Sequence, residues 1–314
     1  MKLIVMIPAY NEEETIGGVI RNIPQSIEGF DEVQILVIDD GSNDRTAVVA
    51  KESGAHFIVF HGRNRGLARA FQTGIDEALR RGADVIVNTD ADHQYNQSEI
   101  PLLVRPILDH RADMVIGDRQ IEKLTFMPWP NKYGNMLGSS LLRLVLKNNV
   151  RDASSGFRAF SRECALRLNV LSGHTYTHET IIQCTISRFH IAQVPITFLK
   201  REGGTSKLIQ SVFSHIKKSL ANIVRIYLVY QPLKTFSRMG IGFLVLGSII
   251  YARYMHFYFA GSGEGHIQSL IFGLVFVITG ILLFILGFIA DLISAQRKIQ
   301  QEILYHMKRN GSEK

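Results

Sequence analysis

Two aspartates, Asp90 and Asp92, directly follow the apolar, β-branched run at 85–87. Such a run predicts a buried strand, and residues i and i+2 of an extended chain face the same way. The two carboxylates therefore converge on one point, where they repel each other unless a cation lies between them. A site for a hard divalent ion is one interpretation. The alternative is a loop whose aspartates cap a turn or the next helix.

The elements that position these aspartates are predicted as repeated strand–loop–helix units over residues 1–120. This alternation is typical of an α/β domain with a mostly parallel sheet and helices on both faces. A first helix is expected to open at Glu12–Glu14, where acidic side chains favour the positive end of the helix dipole. The predicted strands are 3–7, 33–38, 56–60, 84–89 and 113–117.

Polar clusters follow the predicted strands, and ligands of parallel sheets gather at the carboxyl ends of strands. These clusters are therefore expected to share one rim although they are distant in sequence. Neither a G-x-G-x-x-G turn nor a Walker loop is present, which disfavours a dinucleotide oxidoreductase and a P-loop NTPase. The clusters lie at 8–12, 39–44, 63–66, 90–94 and 118–119.

Composition limits the cellular setting and the partners. The 314-residue chain has a formal net charge of +7, which favours nucleic acid, a phosphorylated ligand or a membrane surface as partner. Basic residues concentrate near the apolar segments, which disfavours nucleic acid. Two cysteines supply neither a disulfide framework nor a thiolate metal site. The apolar run at 3–8 is too short for a secretory signal.

Two C-terminal stretches, 240–259 and 267–290, are long enough to cross a bilayer. Basic residues flank this pair on the outside, so the positive-inside rule places both termini and the large domain in the cytoplasm. An i, i+4 apolar stripe in residues 208–236 predicts an amphipathic helix in the membrane interface. A buried hairpin and an ordinary packing helix are the alternatives. The predicted division is therefore 1–207 catalytic, 208–236 juxtamembrane, 237–293 a two-helix transmembrane hairpin and 294–314 a cytoplasmic tail.

Four motifs in order, I-P-A-Y-N-E-E-E-T-I (7–16), V-I-D-D-G-S-N-D-R-T (37–46), N-R-G-L-A-R-A (64–70) and N-T-D-A-D-H-Q (88–94), resemble those of family 2 glycosyltransferases, which have the GT-A fold. Three further motifs, G-D-R (117–119), S-G-F-R (155–158) and R-E-G-G-T-S-K-L (201–208), are similar to the branch that glycosylates a polyprenyl phosphate. Dolichyl-phosphate mannose and polyprenyl-phosphate glucose synthases belong to that branch. The resemblance covers roughly residues 1–210, and the C-terminal spans match some members.

The resemblance implies a nucleotide-sugar donor and a Mg²⁺ or Mn²⁺ ion held by Asp90, Asp92 and Gln94. Such an ion would stabilise the departing diphosphate as a Lewis acid. Asp90, Asp92, Arg119 and Arg201 are the implied catalytic residues. For Glu12 and Asp40, helix-start and turn roles are the alternative. The implied nucleotide-binding residues are Pro8, Ala9, Tyr10, Glu12, Asp39, Asp40, Asn64, Gly66 and Ala91.

The acceptor would be a phosphate monoester, which is mostly dianionic at neutral pH and needs cations to orient it. Asp152 is a turn former or a catalytic carboxylate. Glu179 lies near a family carboxylate position, but the usual acidic pair is here His178-Glu179, so Glu179 could instead orient an arginine or the sugar. The implied acceptor-phosphate residues are Arg119, Arg143, Arg201, Ser206 and Lys207.

The sequence therefore predicts a membrane-attached, metal-dependent, inverting transferase. It would move a hexose, glucose or mannose, from a UDP- or GDP-sugar to undecaprenyl or dolichyl phosphate at the cytoplasmic face. A processive polysaccharide synthase is an alternative, although no Q-x-x-R-W motif is present. A non-catalytic membrane scaffold is another, although both metal carboxylates are retained. A homo-oligomer is left open.

Overall fold

The computed structural model describes most of the chain. The described residues are 1–124, 149–170, 176–199, 232–261 and 263–312, with the single positions 132, 136, 139, 140 and 143. They fall into two compact units. The first comprises Met1–Leu220 with Glu302–Lys314, and the second comprises Ala221–Gln301.

Seven strands of the first unit form one sheet, in the order β3-β2-β1-β4-β6-β5-β7. Strand β6 runs antiparallel to both of its neighbours, and the other pairings are parallel. The five predicted strands are present, and the α/β class with a mostly parallel sheet is confirmed. The strands are β1 Lys2–Ala9, β2 Glu32–Asp39, β3 Phe57–Phe60, β4 Val85–Asn88, β5 Met114–Asp118, β6 Arg158–Ser161 and β7 Ile191–Pro195.

Helices connect most of these strands. The first begins at Ile16, later than the predicted start, because residues 12–15 form a turn in which Glu12 O accepts from Thr15 N and Ile16 N. The helices are α1 Ile16–Arg21, α2 Thr46–Glu52, α3 Leu67–Arg80, α4 Ile100–Leu108, α5 Arg162–Arg167, α6 Thr177–Ile186, α7 Pro232–Phe259 and α8 Ile267–Ser312. Short 3₁₀ turns lie at Gln97–Glu99, Ile121–Lys123 and Gly263–His266.

Both faces of the sheet are covered. On one face, Val85 and Val87 belong to the apolar cluster that includes Ile16 of α1 and Leu103 of α4. On the other, α3 packs so closely that a Cβ on Gly74 would lie 2.8 Å from Met6 Sδ. The register places Ala9 beside Asp39, and Met6 beside Asn88. The carboxyl ends of β1, β2 and β4 therefore share one edge, as predicted.

Helices α5 and α6 carry the two cysteines of the chain. The Sγ atoms of Cys164 and Cys184 lie 3.2 Å apart, and both residues are buried. Burial raises the pKa of the Cys164 thiol. The pair contributes to the apolar packing between these helices.

The second unit consists of α7 and the greater part of α8, which are long and apolar enough to span a membrane. The two helices approach closely through glycines, since a Cβ on Gly247 would lie 3.0 Å from Gly273 O and a Cβ on Gly280 would lie 3.0 Å from Gly240 O. Their outward side chains are largely apolar and exposed, for example Ile249 and Phe288. These features match the two predicted spans in length and composition. The predicted interfacial helix at 208–236 lies mostly outside the described residues.

Helix α8 runs for 46 residues and continues well beyond the predicted span. Its last residues, from Glu302, belong to the first unit. There Lys308 Nζ contacts Asp76 Oδ1 at 2.8 Å and donates to Leu168 O at 2.9 Å. Tyr305 is 6% exposed and lies under the Arg167 guanidinium, whose carbon is 4.2 Å from the ring centre. Much of the segment predicted as a tail is thus an ordered part of the first unit.

Candidate active site

The rim of the sheet begins where β1 and β2 end. Asp40 N donates to Ala9 O at 2.8 Å, and Asp39 Oδ1 accepts from Ser42 N at 2.8 Å. Glu12 N donates to Thr46 Oγ1 at 2.8 Å. These bonds place the 8–12 and 39–44 clusters side by side, as the sequence predicted.

The loop before α3 joins the same rim. Gly66 N donates both to Asp40 Oδ2 at 2.8 Å and to Asn64 Oδ1 at 3.0 Å. Asn64 is exposed, whereas Asp39 and Asp40 are buried. Three of the predicted nucleotide residues, Asp40, Asn64 and Gly66, are therefore in direct contact.

The acidic loop after β4 carries the predicted metal ligands. Gln94 N donates to Asp92 Oδ1 at 3.3 Å, which closes a turn from Asp92 to Gln94. Leu199 N donates to Gln94 O at 2.8 Å, and Gln94 Nε2 lies 3.5 Å from Leu199 O. With its amide nitrogen facing Leu199, the Gln94 side chain leaves its oxygen available as a metal ligand. Ala91 between the aspartates is buried.

The same loop also contacts α1. His93 adopts a left-handed backbone with φ +61°. Its ring lies so close to Gly18 that a Cβ there would be 2.0 Å from His93 Nε2. The motif D-A-D-H-Q is therefore held on one side by α1 and on the other by Leu199.

The electrostatic environment of Asp90 indicates whether the acidic loop would stabilise a bound cation. Burial, and next the charge of Asp92, raise the pKa of Asp90 to about 7, although Arg119 and Arg158 oppose the shift. The carboxylate pair is thus electrostatically unfavourable by itself, and a divalent ion relieves this repulsion. Two carboxylates and an amide oxygen are ligands suited to Mg²⁺ or Mn²⁺, which complete their shells with water and substrate phosphate. Among the described residues no cluster of three or more His, Cys, Asp or Glu offers another site.

Gly156 lies directly behind Asp90. A Cβ at this position would be 2.9 Å from both carboxylate oxygens of Asp90. Asn88 Nδ2 donates to Gly156 O at 2.7 Å and to Tyr176 Oη at 2.9 Å, while Gly156 N donates to Tyr95 Oη at 2.9 Å. Only a residue without a side chain fits between the acidic loop and this network.

Arg119 is not an isolated cation. Its Nε and Nη2 donate to the two carboxylate oxygens of Asp152 at 2.7 and 2.8 Å, and Nη2 also donates to Ser154 Oγ at 2.6 Å. Arg119 is 8% exposed. Asp152 also accepts from the backbone of Ser154 and Ser155, at 3.3 and 3.2 Å. Asp152 thus forms the expected turn and at the same time neutralises Arg119.

Arg158 is a buried cation that the sequence analysis included in a motif but gave no role. It is 0% exposed and donates to three carbonyl oxygens, those of Ser155, Ala153 and Thr177, and to Thr180 Oγ1. The residue therefore joins the 153–155 turn to the start of α6. The motif S-G-F-R was the feature of the sequence that drew attention to Arg158. An arginine in a strand, however, does not indicate that its side chain is fully buried.

The other predicted residues are placed as follows. Glu179 on α6 is buried and accepts from Gln183 Nε2 at 3.2 Å. Arg143 is exposed and donates to Ser140 Oγ at 2.9 Å, a contact that does not connect it to the acidic loop. Pro8 and Ala9 are the last two residues of β1, and Tyr10 follows them at the rim. The remaining acceptor residues, Arg201, Ser206 and Lys207, lie outside the described residues.

A mostly parallel sheet with an acidic loop at its carboxyl edge is the arrangement of a GT-A glycosyltransferase. The sequence pattern of Glycosyl transferase family 2 matches residues 4–167, more than half of the chain. The chain belongs to this family, and the predicted family and enzyme class are confirmed.

Relatives with assigned activities are similar over most of the chain. Polyprenol monophosphomannose synthase of Mycolicibacterium smegmatis is 30% identical over 66% of this chain and 81% of its own length. Undecaprenyl-phosphate mannosyltransferase of Micrococcus luteus is 29% identical over 72% and 93%.

A solved structure shares the fold. Glucosyl-3-phosphoglycerate synthase from Mycobacterium tuberculosis, crystallised with Mn²⁺, UDP and phosphoglyceric acid, superposes with a TM-score of 0.57. The match covers 71% of this chain and 78% of the other at 23% identity. The predicted GT-A fold is thereby confirmed.

Proposed function

We propose that the protein transfers a hexose, glucose or mannose, from a UDP- or GDP-sugar to a polyprenyl phosphate of the undecaprenyl or dolichyl type. The observation that carries this proposal is the acidic loop of a family 2 fold in one chain with two membrane-length helices. Relatives named for polyprenyl-phosphate mannosyl transfer support the same acceptor class. The product would be a lipid-linked sugar.

The donor would lie along the rim, with its diphosphate at the acidic loop. Asp90, Asp92 and Gln94 would hold Mg²⁺ or Mn²⁺ there, and the bound ion would supply positive charge that stabilises the leaving diphosphate. The nucleoside would lie against the ends of β1 and β2. The proposed donor residues are Pro8, Ala9, Tyr10, Glu12, Asp39, Asn64, Gly66 and Ala91, with Asp40 considered separately below.

The chemical step would be one in-line displacement that inverts the anomeric carbon. An oxygen of the acceptor phosphate forms the new bond to the anomeric carbon. At the same time the bond between that carbon and the oxygen of the leaving diphosphate breaks. No proton has to be removed, because the acceptor phosphate is already mostly dianionic at neutral pH. This fits the state of Asp152, whose carboxylate is bonded to Arg119 and so is poorly placed to act as a base.

The acceptor phosphate would be drawn to cations. Arg119 uses Nε and Nη2 for Asp152 and Ser154, so its contact with a phosphate would be made by Nη1. Arg201, Arg143, Ser206 and Lys207 are proposed to complete this binding site. The membrane helices would keep the protein at the bilayer, with the catalytic unit and both termini in the cytoplasm.

The proposal is tested with purified protein in lipid nanodiscs, UDP-glucose or GDP-mannose and a short polyprenyl phosphate. We expect one sugar-lipid product that requires Mg²⁺ or Mn²⁺ and disappears with EDTA. Asp92→Asn should lower turnover by about a hundredfold or more, since an acidic ligand of the leaving-group cation is lost. Full turnover in EDTA, or in Asp92→Asn, would contradict the metal role. Absence of product with every nucleotide sugar tried would contradict the proposed function.

A further inference from the structure

Asp40 was predicted to bind the nucleotide, yet its carboxylate is already occupied. Asp40 Oδ1 lies 2.7 Å from His61 Nδ1 and accepts from Arg65 N at 3.0 Å, while Oδ2 accepts from Gly66 N at 2.8 Å. The residue is 3% exposed. A carboxylate has about four acceptor sites. Three of them face the protein, so little of Asp40 is accessible to a ligand.

His61 extends this contact toward α3. Its backbone N donates to Asp39 O at 2.9 Å, and its Nε2 lies 3.0 Å from Thr73 Oγ1. The network assigns the Nδ1 proton to the bond with Asp40, which leaves Nε2 to accept from the Thr73 hydroxyl. The buried ring thereby joins the ends of β2 and β3 to the first half of α3.

Gly41 brings the backbone of the two loops together. It has φ +78°, and a Cβ there would lie 2.5 Å from the carbonyl carbon of Arg63 and 2.7 Å from Asn64 N. Both the positive φ and the close approach require glycine. The loop is thus held at His61, at 63–64 and at 65–66, while the side chains of Arg63, Asn64 and Arg65 remain exposed.

We infer that Asp40 and His61 are positioning residues, which set the conformation of the 62–66 loop and act on the nucleotide only through it. The inference deepens the proposed function and rests on it for the role of Asn64 and Gly66 in donor binding. Without the carboxylate, Arg65 N and Gly66 N lose their acceptor and the loop is released. Donor affinity then falls because the rim is no longer preorganised.

The first readout is independent of any ligand. Trypsin cleaves after arginine, and Arg63 and Arg65 are exposed on this loop. We expect Asp40→Asn and His61→Gln to accelerate cleavage at these two positions by about tenfold, since hydrogen bonds to a charged group are lost. Mass spectrometry of the fragments measures the rates. Asp109→Asn is the matched control, since its carboxylate pairs with Arg111 and lies far from the 62–66 loop in sequence.

The second readout separates positioning from direct contact. Calorimetry with UDP and with GDP should show that Asp40→Asn weakens both by the same factor. Asp39→Asn should change nucleotide affinity without faster cleavage. Unchanged cleavage in both Asp40→Asn and His61→Gln, or an altered UDP-to-GDP preference in Asp40→Asn with an intact loop, would overturn the inference. If no nucleotide binds even to the wild type, the proposed function fails, while the cleavage rates still decide the role of Asp40.

Discussion

The Arg119–Asp152 pair shows how two buried groups can both remain charged. Burial would raise the pKa of Asp152, but the charge and hydrogen bonds of Arg119 outweigh it and hold this pKa below its usual range. Burial likewise opposes the charge of Arg119, and Asp152 raises the arginine pKa. Both groups therefore stay ionised, and each depends on the other.

Removing one partner should be costly. Asp152→Asn should lower the free energy of unfolding of the catalytic unit by about 3 kcal/mol, because Arg119 becomes a buried cation with a neutral neighbour. Thermal unfolding in detergent, followed by intrinsic fluorescence, measures the change. The double variant Arg119→Met/Asp152→Leu should regain stability without regaining activity. An Asp152→Asn protein as stable as wild type would contradict this account.

The same pair predicts a pH dependence. Because the folded pKa of Asp152 is depressed, its stabilisation is complete above the unfolded value near 3.9 and is lost only as pH falls through the lower folded value. The stability difference between wild type and Asp152→Asn should therefore stay constant from about pH 8 to about pH 5. Thermal unfolding at several pH values checks this. A difference that changes between those limits would show that the pKa of Asp152 is raised in the folded protein, and would contradict the pairing.

At the scale of elements, the contact between α1 and the acidic loop constrains the backbone that carries the predicted metal ligands. His93 holds a left-handed backbone, which costs free energy in a residue other than glycine and points to a functional constraint. Its contact with Gly18 keeps it there.

Gly18→Ala should displace His93 and weaken Mn²⁺ binding by about tenfold, as loss of ligand-orienting contacts does at other metal sites. Electron paramagnetic resonance of free Mn²⁺ measures the affinity. His93→Asn shortens the side chain and tolerates the left-handed backbone, so the double variant should bind Mn²⁺ better than Gly18→Ala alone. Gly242→Ala, where a Cβ meets open space, is the control. Equal affinities in the wild type and all three variants would rule out the coupling.

The membrane-length helices depend on small residues at their interface. Gly240 and Gly247 of α7, and Gly273, Gly280 and Gly287 of α8, recur every seventh residue. Close approach of helices through small residues is a packing mode found in membranes. The recurrence of glycine on one face therefore keeps the two backbones in contact.

Gly280→Leu should separate α7 from α8 and destabilise the hairpin by about 1–3 kcal/mol through overpacking. Thermal aggregation in detergent micelles reports the loss. Gly242→Leu, at an open position of α7, should have little effect. If the two leucine variants lose stability equally, the interface does not depend on Gly280.

The sequence predicted those elements whose signals are local. Strand β4 was predicted because 85–87 is β-branched and apolar, and the rim followed from strand order. Strand β6 was not predicted, because its four residues include Arg158 and it inserts between β4 and β5 by pairing with distant segments. Periodicity carries no information about such pairing.

The sequence predicted which residues lie at the site better than it predicted what each of them does. The sequence placed Asp40 and Arg119 at the rim but could not show that each faces a protein partner, His61 and Asp152 respectively. These partners lie 21 and 33 residues away. A charge that binds a ligand and a charge that holds a loop look alike until the distant partner is known.

At the scale of the whole molecule, the chain returns to its first unit after the second. Residues Glu302–Lys314 belong to the catalytic unit, where Arg167 donates to Glu302 at 2.8 Å and Lys308 pairs with Asp76. The last turns of α8 therefore stabilise the fold that carries the acidic loop.

Lys308→Ala should lower the thermal midpoint of the catalytic unit, because the Asp76 carboxylate and Leu168 O lose a partly buried donor worth about 1–3 kcal/mol. Lys298→Ala, on an exposed position of the same helix, is the matched control. Reversing the charges in Asp76→Lys/Lys308→Asp should recover part of the loss. Identical midpoints for Lys308→Ala and Lys298→Ala would show that this contact adds nothing to stability.

The buried thiols of α5 and α6 have a practical consequence for observing this enzyme at work. Cys164 and Cys184 are the two cysteines of the chain, and because both are buried we expect neither to react with a maleimide reagent in the folded protein. A single cysteine introduced at an exposed position, such as Arg63→Cys, could therefore be labelled with a fluorophore without first replacing the two native cysteines. The native chain is thus suited to site-specific labelling, and the motion of its 62–66 loop can be followed in real time.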